Sequence, residues 1–134
     1  MIAATTLNGH PCWVLVVEDE ALIAMLVEDM LHDSGSEMVG SAGKLTDAVD
    51  LARKAQADVA LLDLNLKGKL AYPVADVLRG RGMPIVFTSG YGSAGLIERF
   101  QDCPMLDKPF DQPSLEHAIH TVLSSNAYSS DLAA

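Results

Sequence analysis

The segment Trp13-Val14-Leu15-Val16-Val17-Glu18-Asp19 decides the fold, because it joins an unbroken apolar run to a pair of acidic residues. Strands that are buried on both faces of a sheet are nearly continuous in apolar residues, whereas strands with one wet face alternate. We therefore predict a parallel strand over Trp13–Val17, covered on both sides, with Glu18 and Asp19 at its carboxyl end.

Four more apolar runs are predicted to be strands, at Met38–Ser41, Val59–Leu62, Ile85–Thr88 and, weakly, Met105–Leu106. Segments with apolar residues at helical spacing separate them. The first of these apolar faces consists of Ile23, Leu26, Val27, Met30 and Leu31, and the last, after a cap at Asp111, of Leu115, Ala118, Ile119, Val122 and Leu123. Ser93 to Gln101 leaves room for only about two helical turns. The (βα)₅ order predicts an α/β fold, a doubly wound open parallel sheet.

Composition limits the class of protein. The chain has 134 residues, with 9 basic and 18 acidic side chains and a formal net charge of −9. We expect a single domain over residues 12–124, an N-terminal extension at 1–11, a flexible C-terminal tail at 125–134 and no output domain. The negative charge argues against nucleic acid and anionic membranes as partners, because both attract clustered Lys and Arg.

The sequence also bears on the compartment. The first dozen residues lack the pattern of a secretory signal, and no apolar run approaches the roughly 20 residues that span a bilayer. In the predicted sheet Cys12 and Cys103 lie three strands apart, about 14 Å, which is too far for a disulfide. Reduced cysteines favour a cytoplasmic protein.

Acidic, hydroxyl and basic residues follow the strands at their carboxyl ends, the edge at which open parallel sheets bind ligands. They are Glu18 and Asp19 after the first strand, Asp63 after the third, Ser89 after the fourth and Lys108 after the fifth. Carboxylates at close quarters repel one another unless a cation lies among them, and Mg²⁺ suits carboxylate oxygens combined with water and phosphate. Asp63 would then attack phosphorus, while Mg²⁺, Lys108 and Ser89 stabilise the transferred charge. The backbone carbonyl of Asn65 is a further candidate metal ligand.

The chain resembles the receiver domain of two-component response regulators over roughly residues 12–124. Four motifs carry the resemblance: Val14-Leu15-Val16-Val17-Glu18-Asp19-Glu20, Ala60-Leu61-Leu62-Asp63-Leu64-Asn65-Leu66, Pro84-Ile85-Val86-Phe87-Thr88-Ser89-Gly90 and Asp107-Lys108-Pro109-Phe110. The resemblance implies a flavodoxin-like fold with strand order 2-1-3-4-5 and a cis peptide bond before Pro109. It also implies phosphotransfer to Asp63 from a histidine kinase or a histidine phosphotransfer protein, beside an acidic pair at Glu18 and Asp19 and a lysine at Lys108.

Two neighbouring residues, Thr88 and Ser89, compete for the role of switch hydroxyl. In receivers this hydroxyl lies five residues after the proline that opens the fourth strand and precedes a small residue. Counting from Pro84 gives Ser89, followed by Gly90. Strand alternation would then direct Thr88 to the other side. Ser89 is therefore the prediction and Thr88 the alternative.

Two features depart from most receivers. Met105 stands three residues before Lys108, where Tyr or Phe is usual, and the segment between Gly90 and Lys108 is short. With Phe87-Thr88-Ser89-Gly90-Tyr91-Gly92, these features resemble the single-domain FAT GUY subfamily, whose signature is Pro-Phe-x-Phe-Ala-Thr-Gly-Tyr. The resemblance implies that Tyr91 takes over the signalling motion; the alternative is a partly buried loop aromatic.

These observations predict a stand-alone receiver that is phosphorylated on Asp63 and signals to an unknown downstream protein through a face within residues 90–123. We expect no enzyme activity beyond its own phosphotransfer and dephosphorylation. The alternatives are a phosphate sink for a kinase, a receiver-like module that is never phosphorylated, and a magnesium-dependent phosphohydrolase. The last is disfavoured because Asp63-Leu64-Asn65 lacks the second aspartate of the haloacid dehalogenase type.

Overall fold

The computed structural model describes the backbone of residues 6–7, 10–90 and 96–133, and the side chains of residues 10–90 and 96–125. Its central sheet has five strands, β1 Trp13–Val17, β2 Glu37–Ala42, β3 Val59–Asp63, β4 Ile85–Ser89 and β5 Met105–Asp107. They are ordered β2-β1-β3-β4-β5, and every neighbouring pair is parallel. The predicted strand order 2-1-3-4-5 is confirmed.

The α-helices of the described residues are α1 Ala21–Asp33, α2 Leu45–Lys54, α3 Tyr72–Gly80 and α4 Gln112–Ala133. Alternate strand residues enter two separate cores. Leu15, Leu62 and Phe87 pack with residues of α2 and α3, whereas Val16, Leu61 and Val86 pack with residues of α1 and α4. All five residues of β3 and of β4 are buried, which explains why those strands are continuous apolar runs. The doubly wound architecture is therefore confirmed.

The apolar face predicted for α1 was wrong at one position. Val27 and Leu31 are buried, but Leu26 is 57% exposed, beside Leu22 at 75% and Met25 at 60%. Successive helical residues are separated by about 100°, so the row that faces the sheet through Val27 turns Leu26 outward. The helix consequently presents an apolar ridge, Leu22, Met25 and Leu26, on its outer side.

The fourth connection also differs from the prediction. Among its described residues, 96–104, it contains a 3₁₀ turn at Glu98–Phe100 and no α-helix. Phe100 is fully buried, and its ring centroid lies 5.7 Å from Tyr72 of α3 and 5.7 Å from Phe87 of β4. The Phe100 ring thus packs this connection against α3 and the sheet, as the apolar face of a helix would otherwise do.

Both predicted terminal segments contain secondary structure among their described residues. Thr6–Leu7 pairs antiparallel with His10–Pro11, and the His10 ring stacks on Trp13 at 3.9 Å. In the C-terminal tail predicted at 125–134, the backbone is helical as far as Ala133. No Gly or Pro interrupts residues 114–133, so nothing in the sequence stops the helix.

Cys12 is buried, Cys103 is half-buried and both are free, as predicted. The peptide bond between Lys108 and Pro109 is cis, as the resemblance implied. Asp111 accepts the Ser114 amide at 2.9 Å and so begins α4 as predicted. A helix with the length and apolar character of a membrane span is absent from the described part of the chain.

Candidate functional site

The carboxyl ends of three strands bring Glu18, Asp63 and Lys108 together. The Lys108 Nζ donates to Glu18 Oε1 at 3.0 Å and to Asp63 Oδ2 at 2.9 Å. The three side chains are only 10%, 5% and 4% exposed for Lys108, Glu18 and Asp63 respectively. One ammonium thus faces two buried carboxyl groups, so this group is one positive charge short of neutrality when both of them are ionised.

The loop after β3 completes the site from the opposite side. Asn65–Leu66 pairs antiparallel with Lys69–Leu70, and the Lys67 amide at its tip donates to Asp19 Oδ2 at 3.0 Å. The Asn65 amide donates to Asp63 Oδ1 at 3.1 Å. A cavity of about 240 Å³ lies between the groups, lined in part by Asp19, Asp63, Asn65, Gly90 and Lys108. Its volume is sufficient for a small oxyanion, and Asp63 is part of its lining.

Burial changes the protonation of this cluster. It raises the pKa of Glu18 to about 7, and it also raises the pKa of Asp63, against hydrogen bonds from Lys108. Burial would lower the pKa of Lys108, but its bonds to Asp63 and Glu18 outweigh burial and raise it. For Asp19, hydrogen bonds from the Glu18 carboxyl and the Lys67 amide outweigh burial and lower the pKa. The metal-free site therefore retains a proton into the neutral range.

This protonation predicts a pH-dependent stability. Because the folded pKa of Glu18 lies above its ordinary value of 4.5, the folded state binds more protons between pH 4.5 and about pH 7. The free energy of unfolding in EDTA should therefore fall as pH rises through that window, by on the order of 1 to 3 kcal/mol. The raised pKa of Asp63 changes the free energy of unfolding in the same direction, starting at lower pH. The lowered pKa of Asp19 affects stability only at more acid pH.

Urea unfolding at pH 5 and pH 7.5 measures the effect. Glu18→Gln should flatten the pH dependence, while Glu37→Gln, on the exposed start of the edge strand β2, should leave it as in the wild type. A slope in Glu18→Gln equal to that of the wild type would rule out Glu18 as its source.

The donor set fits a hard divalent cation. Carboxylate oxygens of Glu18, Asp19 and Glu20 lie within 4.8 Å of one another, and Asp63 joins them through its contact with Lys108. Oxygen ligands of this kind suit Mg²⁺, which keeps several waters and meets few protein carboxylates. Glu20 was missed as a ligand candidate by sequence reasoning, although it directly follows the acidic pair. The Asn65 carbonyl as a ligand stays a prediction.

The two competing hydroxyl residues are both buried. Thr88 is the ladder partner of Asp63, whereas Ser89 pairs with Asp107 and accepts the Lys108 amide through its carbonyl at 2.8 Å. Burial therefore does not separate them, and the choice of Ser89 stays a prediction.

Three residues are predicted to take part in signalling, and two of them, Met105 and Pro109, lie among the described residues. Met105 is half-buried and pairs with Phe87 in the sheet. Pro109 follows Lys108 at the rim of the site. Tyr91 lies outside the described residues, so its predicted role stays a prediction.

Comparisons with known proteins agree with this geometry. A family model described as the response regulator receiver domain matches residues 14–120. The transcriptional regulatory protein PdtaR of Mycobacterium tuberculosis is 35% identical over 118 residues, which cover 85% of this chain. The match spans 58% of PdtaR, so this chain corresponds to little more than half of that relative.

Solved structures give the same picture. SdrG from Sphingomonas melonis Fr1 is 36% identical with a TM-score of 0.75, over 84% of this chain and 96% of SdrG. The anti-anti-sigma factor PhyR from Bartonella quintana is 27% identical with a TM-score of 0.81, over 91% of this chain and 51% of PhyR. The similarity thus covers both the fold and the part of the chain that builds the site.

Proposed function

The chain belongs to the response regulator receiver domain family, and from that premise we propose that it accepts a phosphoryl group on Asp63 from a histidine kinase or a histidine phosphotransfer protein. The observation that carries the proposal is the buried contact of Lys108 Nζ with Asp63 and Glu18, at 2.9 and 3.0 Å. A buried ammonium at the carboxyl edge of a parallel sheet, beside a carboxylate and an open cavity, is what an anionic transition state requires.

Each residue has a defined task in the proposed reaction. An Asp63 carboxylate oxygen attacks phosphorus, the bond from phosphorus to the donor's histidine nitrogen breaks, and that nitrogen keeps the electron pair. Lys108, whose ammonium pairs with Asp63 in this structure, would then pair with a phosphoryl oxygen. Glu18, Asp19, Asp63 and the Asn65 carbonyl would hold Mg²⁺. When bound, the ion supplies positive charge that offsets the carboxylates and the equatorial phosphoryl oxygens.

One incubation tests the proposal. The wild-type chain, given acetyl phosphate and Mg²⁺, should gain a single phosphoryl group by intact mass, and EDTA should prevent it. No adduct, in protein that binds Mg²⁺, would contradict the proposal and favour a binding module that is never phosphorylated. Rapid turnover of many phosphomonoesters would instead favour a phosphohydrolase.

The switch hydroxyl can be assigned by a matched pair of variants. We expect Ser89→Ala to keep the adduct but to lose much of the conformational response, because the hydroxyl would bond to a phosphoryl oxygen. Thr88→Val keeps the shape of the side chain and should respond as the wild type does. Amide chemical shifts with and without beryllofluoride, a phosphoryl mimic, report the response. The opposite pattern would assign the role to Thr88.

The proposed phosphodonor needs a surface beside the cavity. A groove of about 280 Å³ lies there between α1 and the loop after β5, lined by Ile23, Leu26, Met30, Pro109 and Phe110 among others. An apolar groove next to an exposed helical ridge suits a helix of the donor protein. A double Leu22→Ser and Leu26→Ser variant should keep the acetyl phosphate adduct and lose transfer from a histidine phosphodonor. Equal transfer by both proteins would place the docking surface elsewhere.

The output side of the proposal is a receiver at residues 12–124 that acts in the cytoplasm through contacts with a downstream protein. The 36% identity with SdrG supports the receiver part of this proposal. A phosphate sink that drains a kinase is the alternative. Rapid loss of the phosphoryl group from Asp63, with continued dephosphorylation of an excess of phosphorylated kinase, would favour the sink. A partner captured only by the phosphorylated form would favour signalling.

A further inference from the structure

The Asn65 side chain closes the short hairpin that lies beside the site. Its Oδ1 accepts the Gly68 amide at 2.7 Å and so closes the turn Asn65-Leu66-Lys67-Gly68. At the tip of the same turn the Lys67 amide donates to Asp19 Oδ2 at 3.0 Å, across 48 residues of sequence. One side chain therefore fixes the turn whose backbone holds an acidic residue of the candidate metal site.

The backbone of this turn is unfavourable without such support. Lys67 has φ 52° and Gly68 has φ 87°, both in the left-handed region that most L-residues avoid. Leu66, 2% exposed, anchors the hairpin in the core, and the Ala71 amide bonds to the Leu64 carbonyl at 2.8 Å behind it. The tip itself is exposed, so the Asn65 bond is the side-chain contact from within the hairpin that holds it, beside the contact of the Lys67 amide with Asp19.

We propose that Asn65 is a positioning residue, whose side-chain amide fixes the Lys67–Gly68 turn so that the Lys67 amide orients the Asp19 carboxylate toward the cation. The role rests on the proposed function, because it matters only if Asp19 helps to hold Mg²⁺. It differs from the ligand role predicted for the Asn65 carbonyl, since every residue at position 65 keeps that carbonyl. Hydrogen bonds that orient a ligating carboxylate govern metal affinity in the same way at other metal sites.

Two variants loosen the turn by unrelated means. Asn65→Ala removes the acceptor of the Gly68 amide. Gly68→Ala keeps the acceptor but places a Cβ at φ 87°, where no atom within 4 Å would clash, so only the backbone conformation is penalised. Gly80→Ala is the matched control, because its Cβ also meets open space and its backbone is not at positive φ.

Calorimetric titration of the full chain with Mg²⁺ should show about fivefold weaker binding for Asn65→Ala and a loss in the same direction for Gly68→Ala. In metal-free protein the Lys67 amide should exchange with solvent faster in both, while the Leu62 amide in β3 exchanges as in the wild type. Asn65→Asp, which retains an acceptor oxygen, should restore the slow exchange of the Gly68 and Lys67 amides.

Wild-type Mg²⁺ affinity in both loosened variants would overturn the positioning role and leave the proposed function standing. A wild-type chain that binds no Mg²⁺ would overturn the proposed function and the positioning role together. A loss in Gly80→Ala equal to that in Gly68→Ala would also overturn the role, because the effect would then not depend on the turn.

Discussion

Asp63→Asn should abolish the phosphoryl adduct and leave the protein folded. An amide lacks the negative charge and the second oxygen of a carboxylate, so it is a poor nucleophile toward phosphorus. Asn keeps nearly the same shape and still offers an oxygen to the Asn65 amide, which donates to Asp63 Oδ1 at 3.1 Å. Intact mass after incubation with acetyl phosphate and Mg²⁺ measures the loss, which should be complete within detection.

The stability of this variant separates a chemical effect from a folding defect. Burial raises the pKa of Asp63, which means that its charged form is disfavoured where it lies. A neutral side chain should therefore change the free energy of unfolding by less than about 1 kcal/mol. Asp50→Asn, at an exposed site on α2, is the matched control and should form the adduct as the wild type does. An undiminished adduct in Asp63→Asn would exclude Asp63 as the acceptor.

Phe100→Ala should lower the free energy of unfolding by about 3 to 5 kcal/mol, the range for aromatic truncation in a core. Phe100 is fully buried although the connection that carries it is mostly exposed. Besides its contacts with Tyr72 and Phe87, its ring lies 4.6 Å below the guanidinium carbon of Arg79 and 5.2 Å from that of Arg99. Phe100 thus packs the described part of the fourth connection against α3 and β4, in the core that also contains the buried Leu96.

Denaturant unfolding measures this loss, with Ile97→Ala as the control on the same connection. Ile97 is 38% exposed, so its truncation should have a much smaller effect. Ion pairs of Arg99 with Asp76 at 2.9 Å and of Arg79 with Asp102 at 3.1 Å remain in both variants, but they are solvent-exposed and contribute little. Equal losses in the two variants would show that Phe100 is not the anchor of this segment.

The sequence predicted those features that depend on local pattern. β1, β3 and β5 each lead from apolar residues into a charged residue of the site, so the convergence of Glu18, Asp63 and Lys108 followed from the rule that parallel strands share a carboxyl edge. The same rule does not predict interatomic distances or protonation states. The 3.0 Å contact of Lys108 with Glu18, and the proton that burial leaves on Glu18, depend on side-chain packing.

The features that were missed depend on contacts between distant segments or on helix orientation. Leu26 fits an apolar stripe as well as Val27 does, and only the docking angle of α1 on the sheet decides which one is buried. The Lys67 amide reaches Asp19 because Lys67 adopts a positive φ. Lys is not a residue type that favours positive φ, so the identity of residue 67 does not predict this contact. In the fourth connection, the buried Phe100 takes the place of an apolar helix face. A single aromatic residue gives no sequence periodicity, so its burial could not be predicted from the pattern.

The central claim is that one carboxylate among the 18 acidic residues of this chain receives the phosphoryl group. Borohydride reduces an acyl phosphate to an alcohol and so converts a phosphorylated aspartate into homoserine, which peptide mass spectrometry can locate. After incubation with acetyl phosphate and Mg²⁺, we predict homoserine at position 63 and at no other aspartate. Reduction at Asp19 in place of Asp63, or a phosphoryl group that borohydride does not remove, would contradict the account.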